Sequence, residues 1–276
     1  VTQYILDALL PVVRDAGALI ESVRASGAGA RAKRDRSPVT EADERAEALI
    51  IGALARIDPG AVVVGEEACA THGKPLVVPR FWLIDPLDGT KSFLDGGADY
   101  SVNVALVEDG EPVLGLVGAP RDGTIWAGVR GLGAWRIDRD GGRRAIRCRQ
   151  MPRRPVVVTS RTHLDDETRR YVAAIGDADV KPSGSSLKFC MLAEGLADVY
   201  PRFGPTSEWD TAAAHAVLLA AGGAMFDAGG KPFRYGKPDY LNGAFLALGD
   251  AAAYAALPPV SGFVARAAAS ASAARS

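Results

Sequence analysis

Trp82-Leu83-Ile84-Asp85-Pro86-Leu87-Asp88-Gly89-Thr90-Lys91 is the stretch on which the reading of this chain turns. The apolar run Phe81–Ile84 predicts a short buried strand. Pro86 cannot donate to a ladder and keeps Asp85 out of the helical region, so the strand should end with a carboxylate at its tip. Open α/β folds place their chemistry at such tips. Asp88 follows within one tight turn, and the amides of Gly89 and Thr90 should open a short helix, a ready anion site. Two carboxylates beside an anion cradle repel the anion unless cations sit between them. The pattern therefore points to divalent metal bridging to a phosphate. Asp-Pro and Asp-Gly are also ordinary turn dipeptides, and either alone would be read so. It is their combination that argues for a site.

Upstream, Gln3–Arg24 has helical periodicity, with Pro11 expected to kink that helix or mark its true start. The basic stretch Ser26–Arg36 reads as an exposed loop of the kind that serves as a lid. Thr40 is placed to N-cap a second helix, Ala42–Ile57, with Asp43 completing an imperfect capping box; judged locally, capping explains Asp43 as well as function does. Asp58-Pro59-Gly60 breaks that helix. Ala61–Val64 reads as a strand ending in Gly65-Glu66-Glu67, where two adjacent acids taken alone suggest a solvated turn.

Downstream, Ser101–Val107, Val113–Val117, Thr124–Val129 and Ala134–Ile137 read as a meander, with Glu108-Asp109-Gly110 as a hairpin turn. Asp138–Arg149 lacks apolar periodicity and reads as a connection, which places a boundary near Cys148 between residues 1–148 and 149–276. The second half alternates: strands at Val156–Thr159, Ala178–Lys181, Asp198–Tyr200 and Phe245–Leu248, helices at Asp165–Ile175, Ser185–Glu194 and Asp210–Ala221. That order suggests a mixed or parallel sheet covered by helices. The fold class is thus α/β, with an α+β first half and an α/β second half. The Ala/Ser-rich tail after Val264 should fray.

Bulk properties exclude several classes. Of 276 residues, 48% are apolar and 24% charged, as in ordinary globular proteins. A net charge of −1 gives no argument for nucleic acid or an anionic membrane, so anion binding must come from a local pocket. Cys69, Cys148 and Cys190 form no Cys-x-x-Cys pair and suit a reduced, cytoplasmic protein. No charged segment followed by an apolar one opens the chain, which argues against secretion. The longest apolar run, Ala212–Phe226, is too short to span a bilayer. A fourth candidate acid is Asp210 in Glu208-Trp209-Asp210-Thr211, where helix N-capping is the ordinary explanation.

Gly65-Glu66-Glu67, Asp85-Pro86-Leu87-Asp88-Gly89-Thr90 and Trp209-Asp210 resemble, in order and spacing, the signature blocks of the inositol monophosphatase-like superfamily of Mg²⁺-dependent, lithium-sensitive phosphomonoesterases. The resemblance runs from Pro38 to about Leu248 and implies a layered α-β-α-β-α sandwich. Lys91-Ser92-Phe93, Ser160-Arg161-Thr162-His163, Gly184-Ser185-Ser186-Leu187-Lys188-Phe189-Cys190 and Tyr200-Pro201-Arg202-Phe203-Gly204-Pro205-Thr206 are most similar to the CysQ-type 3′(2′),5′-bisphosphate nucleotidases of that superfamily, although Ser92 stands where this branch often has Glu.

The resemblance implies that Glu66, Asp85 and the Leu87 carbonyl hold one Mg²⁺. It further implies that Asp85, Asp88 and Asp210 hold a second, and that Glu66 faces a weaker third. Thr90, oriented by Asp43, would position the attacking water, and the Gly89 and Thr90 amides would hold phosphate oxygens. Lys188 and Arg202 would bind the uncleaved phosphate, with His163 bordering the adenine and Ser185 bonding nearby. The usual state of Lys and Arg is solvated surface charge, and His163 could be an ordinary loop histidine. His72 reads as a surface loop residue and His215 as a satisfied helix residue, neither catalytic. The expected activity is hydrolysis of adenosine 3′,5′-bisphosphate by a monomer or homodimer. Its rivals are an inositol or sugar phosphatase and a non-catalytic nucleotide-binding regulator.

Overall fold

The computed structural model describes residues 2–27, 30–32, 38–161 and 164–264. Two helices and a hairpin come first: α1 (Thr2–Ala25), β1 (Ala30–Ala32), β2 (Pro38–Thr40) and α2 (Glu41–Ile57). The first acid blocks lie on β3 (Val62–Gly65), α3 (Glu66–His72), β4 (Arg80–Asp88) and α4 (Thr90–Leu94). A meander follows: β5 (Ser101–Glu108), β6 (Glu111–Ala119), β7 (Thr124–Val129), β8 (Gly133–Ile137) and β9 (Arg143–Ile146). Next come β10 (Val156–Ser160), α5 (Asp166–Ile175), β11 (Asp179–Ser183), α6 (Leu187–Ala193), β12 (Val199–Arg202) and β13 (Thr206–Ser207). The chain continues with α7 (Ala212–Ala220), β14 (Ala224–Asp227), β15 (Leu241–Asn242) and β16 (Phe245–Leu248).

Strand alternation builds the layers, because successive side chains leave a strand on opposite faces. The larger sheet has the order β3-β4-β5-β6-β7-β8-β9, with β3 and β4 parallel. Its Trp82, Ile84, Val104 and Leu106 join Leu9, Val13, Ile50 and Leu54 of α1 and α2 in one core. The intervening Phe81, Leu83, Ala105 and Val107 join Ala213 and Val217 of α7 in another. The smaller sheet, β11-β10-β12-β16-β14, repeats the scheme. Val158, Tyr200, Phe245 and Ala247 share the α7 core, while Val157, Val199, Leu246 and Leu248 pack with Tyr171 of α5. The layers therefore run helix, sheet, helix, sheet, helix, as the resemblance implied.

In that stack α7 lies very close to the larger sheet. A Cβ on Gly115 would stand 2.1 Å from the Ala213 carbonyl oxygen, and one on Gly128 would stand 2.4 Å from Val217 Cα. Only glycine permits such approach.

Several local expectations are corrected. Pro11 neither starts nor divides α1; it is exposed, so the missing donor is lost where water can serve. Ala30–Ala32, expected within a loop, pairs antiparallel with Pro38–Thr40, since backbone pairing needs no apolar pattern. Arg143–Ile146, read as part of a connection, is the edge strand β9; its exposed arginines hid it, and charge is a common way to guard an edge. The strand read as Phe81–Ile84 continues to Asp88. The expected frayed tail after Val264 and most of the expected Ser26–Arg36 loop lie outside the described residues.

Candidate active site

Pro86 shapes the centre of the site. β4 and β5 pair in register until Asp85 meets Asn103, and Asp88 then meets Ser101, so β4 carries one extra residue between the acids. A bulge there suits a proline that has no N–H to offer. Asp85 is 2% exposed, and its carboxylate accepts the Leu87 N–H at 3.0 Å. Gly89 follows at φ +92 and leads into α4; its Cβ would fall 2.7 Å from the Asp99 carbonyl oxygen.

Two other acids converge on Asp85. Glu66 is the first residue of α3, a helix in place of the solvated turn its local sequence suggested. Asp210 does not cap α7, whose N-cap is Thr211 without a side-chain bond. Its carboxylate instead accepts the Ser207 N–H at 2.9 Å and closes the turn before the helix. One oxygen from each of Glu66, Asp85 and Asp210 lies within 4.8 Å of the others. Burial, then repulsion from Glu66, Asp88 and Asp210, holds the Asp85 carboxyl well above the usual carboxylate range. Burial, then Asp88 and Glu66, does the same to Asp210. A divalent cation among these oxygens would turn the repulsion into coordination. The donors are all oxygen, which suits a hard ion. The residues present fit a metal ion.

Asp88 lies outside that trio of oxygens. Its carboxylate accepts the Ser185 hydroxyl and the Ser186 N–H, both at 2.7 Å. Ser185, expected inside a helix, precedes α6 at a positive φ of 56 and also contacts the Ser101 hydroxyl. The Asp43 box is complete: Asp43 accepts from the Thr40 N–H at 2.8 Å and the Thr40 hydroxyl at 2.6 Å. The other Asp43 oxygen is 3.2 Å from the Thr90 hydroxyl, which also lies 3.1 Å from the Leu87 carbonyl oxygen. Asp43 thus caps a helix and touches Thr90 at once.

These groups open on a cleft of about 640 Å³, whose walls include Glu66, Asp88, Thr90 and Asp210 together with Lys188 and Arg202. Lys188 is not surface charge: it is 4% exposed, donates to the Ser185 carbonyl and lies 5.2 Å from the Tyr200 ring centroid. Burial brings its pKa down to about 8. Arg202 is half-buried and donates to the Gly204 and Pro205 carbonyls, both at 3.2 Å. Neither cation forms an ion pair with a described residue. His163 lies outside the described residues.

Asp99 carried no sequence signal. Its carboxylate accepts from Arg161 at 2.7 Å and from the Gly184 N–H at 3.0 Å, fastening the turn that carries Ser185 to the wall of the cleft. His72 ends α3 rather than lying in a loop. His215 is only half satisfied: its Nδ1 is 3.0 Å from the Tyr235 hydroxyl, its Nε2 has no partner among the described residues, and burial takes its pKa to about 3. It stays neutral behind the site.

The sequence model of the inositol monophosphatase family matches residues 2–258. Over 243 residues the chain is 41% identical to the 3′(2′),5′-bisphosphate nucleotidase CysQ of Escherichia coli O157:H7, covering 87% of this chain and 98% of the relative. The crystal structure of CysQ from Bacteroides thetaiotaomicron, a bacterial member of the inositol monophosphatase family, superposes with a TM-score of 0.75 at 33% identity, covering 90% of this chain and 97% of that one. The Thermotoga maritima IMPase shares the fold, with a TM-score of 0.77 at 24% identity and 95% and 98% coverage. Matched along nearly its whole length, in sequence and in fold, the chain belongs to the inositol monophosphatase family.

Proposed function

We propose that the protein is a Mg²⁺-dependent 3′(2′),5′-bisphosphate nucleotidase that hydrolyses adenosine 3′,5′-bisphosphate to AMP and phosphate. The observation that carries this reading is the meeting, in one cleft, of Glu66 and Asp210 of the acidic trio with Lys188 and Arg202, two cations without a carboxylate partner among the described residues. A substrate with two phosphates answers both halves of that cleft. The relatives named as nucleotidases support the same substrate class. The family is metal-dependent. Two Mg²⁺ are proposed, one on Glu66, Asp85 and the Leu87 carbonyl and one on Asp85, Asp88 and Asp210, with a weaker third facing Glu66. When bound, such ions neutralise phosphate charge and lower the pKa of water.

The chain's own residues do the remaining work. Asp43 accepts from Thr90, so the Thr90 hydroxyl is oriented to hold the attacking water. The Gly89 and Thr90 N–H groups steady oxygens of the phosphate that is cleaved. Phosphoryl transfer needs mainly positioning and charge neutralisation, so no side chain has to become covalently attached. Lys188 and Arg202 hold the phosphate that stays, which fixes the register of the ester bond against the acids. Ser185 borders the nucleoside, as does His163 on the strength of the sequence likeness. In this division residues 1–148 carry the metal and phosphate chemistry, completed by Asp210 from residues 149–276, which otherwise supply the substrate choice. A cytoplasmic monomer or homodimer is part of the same proposal, and the three free cysteines are in keeping with it. No helix among the described residues is long and apolar enough to cross a membrane.

The test is a substrate panel of adenosine 3′,5′-bisphosphate, inositol 1-phosphate and fructose 1,6-bisphosphate, each with Mg²⁺ and with a chelator. The expected result is highest kcat/KM on the nucleotide and no turnover in chelator. Preference for inositol 1-phosphate or the sugar would overturn the substrate. Nucleotide binding without hydrolysis of any of the three would make the protein a regulator instead.

A further inference from the structure

Glu47 lies on α2 and is only 5% exposed. One of its carboxylate oxygens accepts the Glu67 N–H at 3.0 Å, and the other accepts the Ala68 N–H at 2.8 Å. These are first-turn donors of α3, and the first N–H groups of a helix have no partner within it. The residue that would ordinarily supply one is the N-cap, where Ser, Thr, Asp and Asn are favoured. Here the N-cap is Gly65, which has no side chain to offer. A Cβ at Gly65 would stand 2.2 Å from Glu47 Oε1 and 2.7 Å from its Cδ. The chain has therefore given up a local cap and filled that space with a carboxylate from another helix.

A local cap would have satisfied α3 equally well as a helix. A cap borrowed from α2 does something more, because α2 also carries Asp43, which bonds the Thr90 hydroxyl. Asp43 and Glu47 are one helical turn apart, so they share a face. One rigid helix thus sets the Thr90 contact with one acid and the start of α3 with the next. Glu66 is the first residue of α3 and one of the acidic trio. A carboxylate at that helix end also has the favourable sign for the helix dipole.

We infer that Glu47 is a positioning residue for the metal centre: it holds the first turn of α3 so that the Glu66 carboxylate meets those of Asp85 and Asp210. The inference rests on the metal-centre reading given under the proposed function. Groups that orient metal ligands from behind affect affinity for the ion strongly when removed, by about 10–100-fold.

The test is calorimetric titration of the full chain with Mg²⁺ alone. Glu47→Gln keeps one acceptor but turns an NH₂ group toward the second N–H. It should weaken Mg²⁺ binding by about 10–100-fold, with the far-ultraviolet circular dichroism unchanged. Gly65→Ala attacks the same contact from the other side, by placing a methyl where the carboxylate sits, and should weaken Mg²⁺ comparably. In the double variant the two losses should not add, since both remove one contact. If Glu47→Gln does not fold, Gly65→Ala reads the contact with the carboxylate intact. A Glu47→Gln protein that melts earlier yet binds Mg²⁺ as tightly as the wild type would overturn the inference and leave Glu47 a purely structural cap. A wild type that shows neither Mg²⁺ binding nor Mg²⁺-dependent hydrolysis would overturn the metal centre itself, and this inference with it.

Discussion

Replacing Asp85 with asparagine should separate what the acid trio costs the fold from what it does for catalysis. At 4.8 Å, the limit within which the three oxygens lie, two full charges repel by about 3.5 kcal/mol in an effective dielectric of about 20. The metal-free protein does not bear all of this, because burial and repulsion raise the Asp85 and Asp210 carboxyls and protons are retained. Asparagine is nearly isosteric and keeps an acceptor for the Leu87 N–H. The variant should therefore gain about 1–3 kcal/mol without metal, a rise in Tm of about 2–10 °C for a chain of this size. In Mg²⁺ at about 1,000 times its Kd the wild type gains about 4.1 kcal/mol that the variant forgoes, and the order of the two proteins reverses. The sign with pH follows from the raised carboxyls. The folded metal-free protein holds protons that the unfolded chain releases near pH 4, so the wild type loses stability as pH climbs above that value, and the variant loses less. Thermal melts in chelator and in Mg²⁺, at pH 5 and pH 8, read all of this, and turnover should be nearly abolished. A variant less stable than wild type in chelator, or one that Mg²⁺ stabilises as much as wild type, would refute the reasoning.

Thr90→Ala removes the hydroxyl that Asp43 holds at 3.2 Å; steady-state kinetics should show a lower kcat with little change in KM, and a rise in KM alone would reassign Thr90 to ground-state binding. Arg202→Ala should lower kcat/KM on adenosine 3′,5′-bisphosphate by about ten- to a thousand-fold, about 1.4–4 kcal/mol, and scarcely touch inositol 1-phosphate; equal losses on both would give Arg202 a structural role. Lys188 loses its proton near pH 8. The bisphosphate kcat/KM should therefore decline above that pH relative to the monophosphate value, and a pH-independent ratio of the two would show that Lys188 does not read the second phosphate.

The acids of the site were legible because each lies in a short, locally ordered block: Gly65-Glu66-Glu67, Asp85 to Thr90, and Trp209-Asp210. What those blocks could not convey was how each acid is held. The local sequence around Asp210 suits a helix cap as well as a metal ligand, yet its hydrogen-bond partner is the Ser207 N–H on the other side of the turn. The resemblance pointed to Lys188, but its residue type alone suits solvent charge, since burial of a lysine depends on Tyr200 and on carbonyls that tertiary packing brings to it. Asp99 and Glu47 were invisible for a similar reason. Each satisfies backbone donors far away in sequence, and nothing in the residues around it announces that. Strand alternation made the meander readable, whereas β9 was not, because three of its four residues are exposed and carry no apolar pattern.

α7 touches both sheets, and it lies on Gly115 and Gly128 with no side chain between helix and strand. A part clamped on both sides and seated directly on its bearing has no lateral play. Asp85 on β4 and Asp210 in the turn before α7 therefore hang from the same packed layers, so a sideways shift of α7 against the sheet would change the gap between their oxygens. A substitution that widened either glycine contact, far from the cleft, would be felt at the acids as a change in that gap.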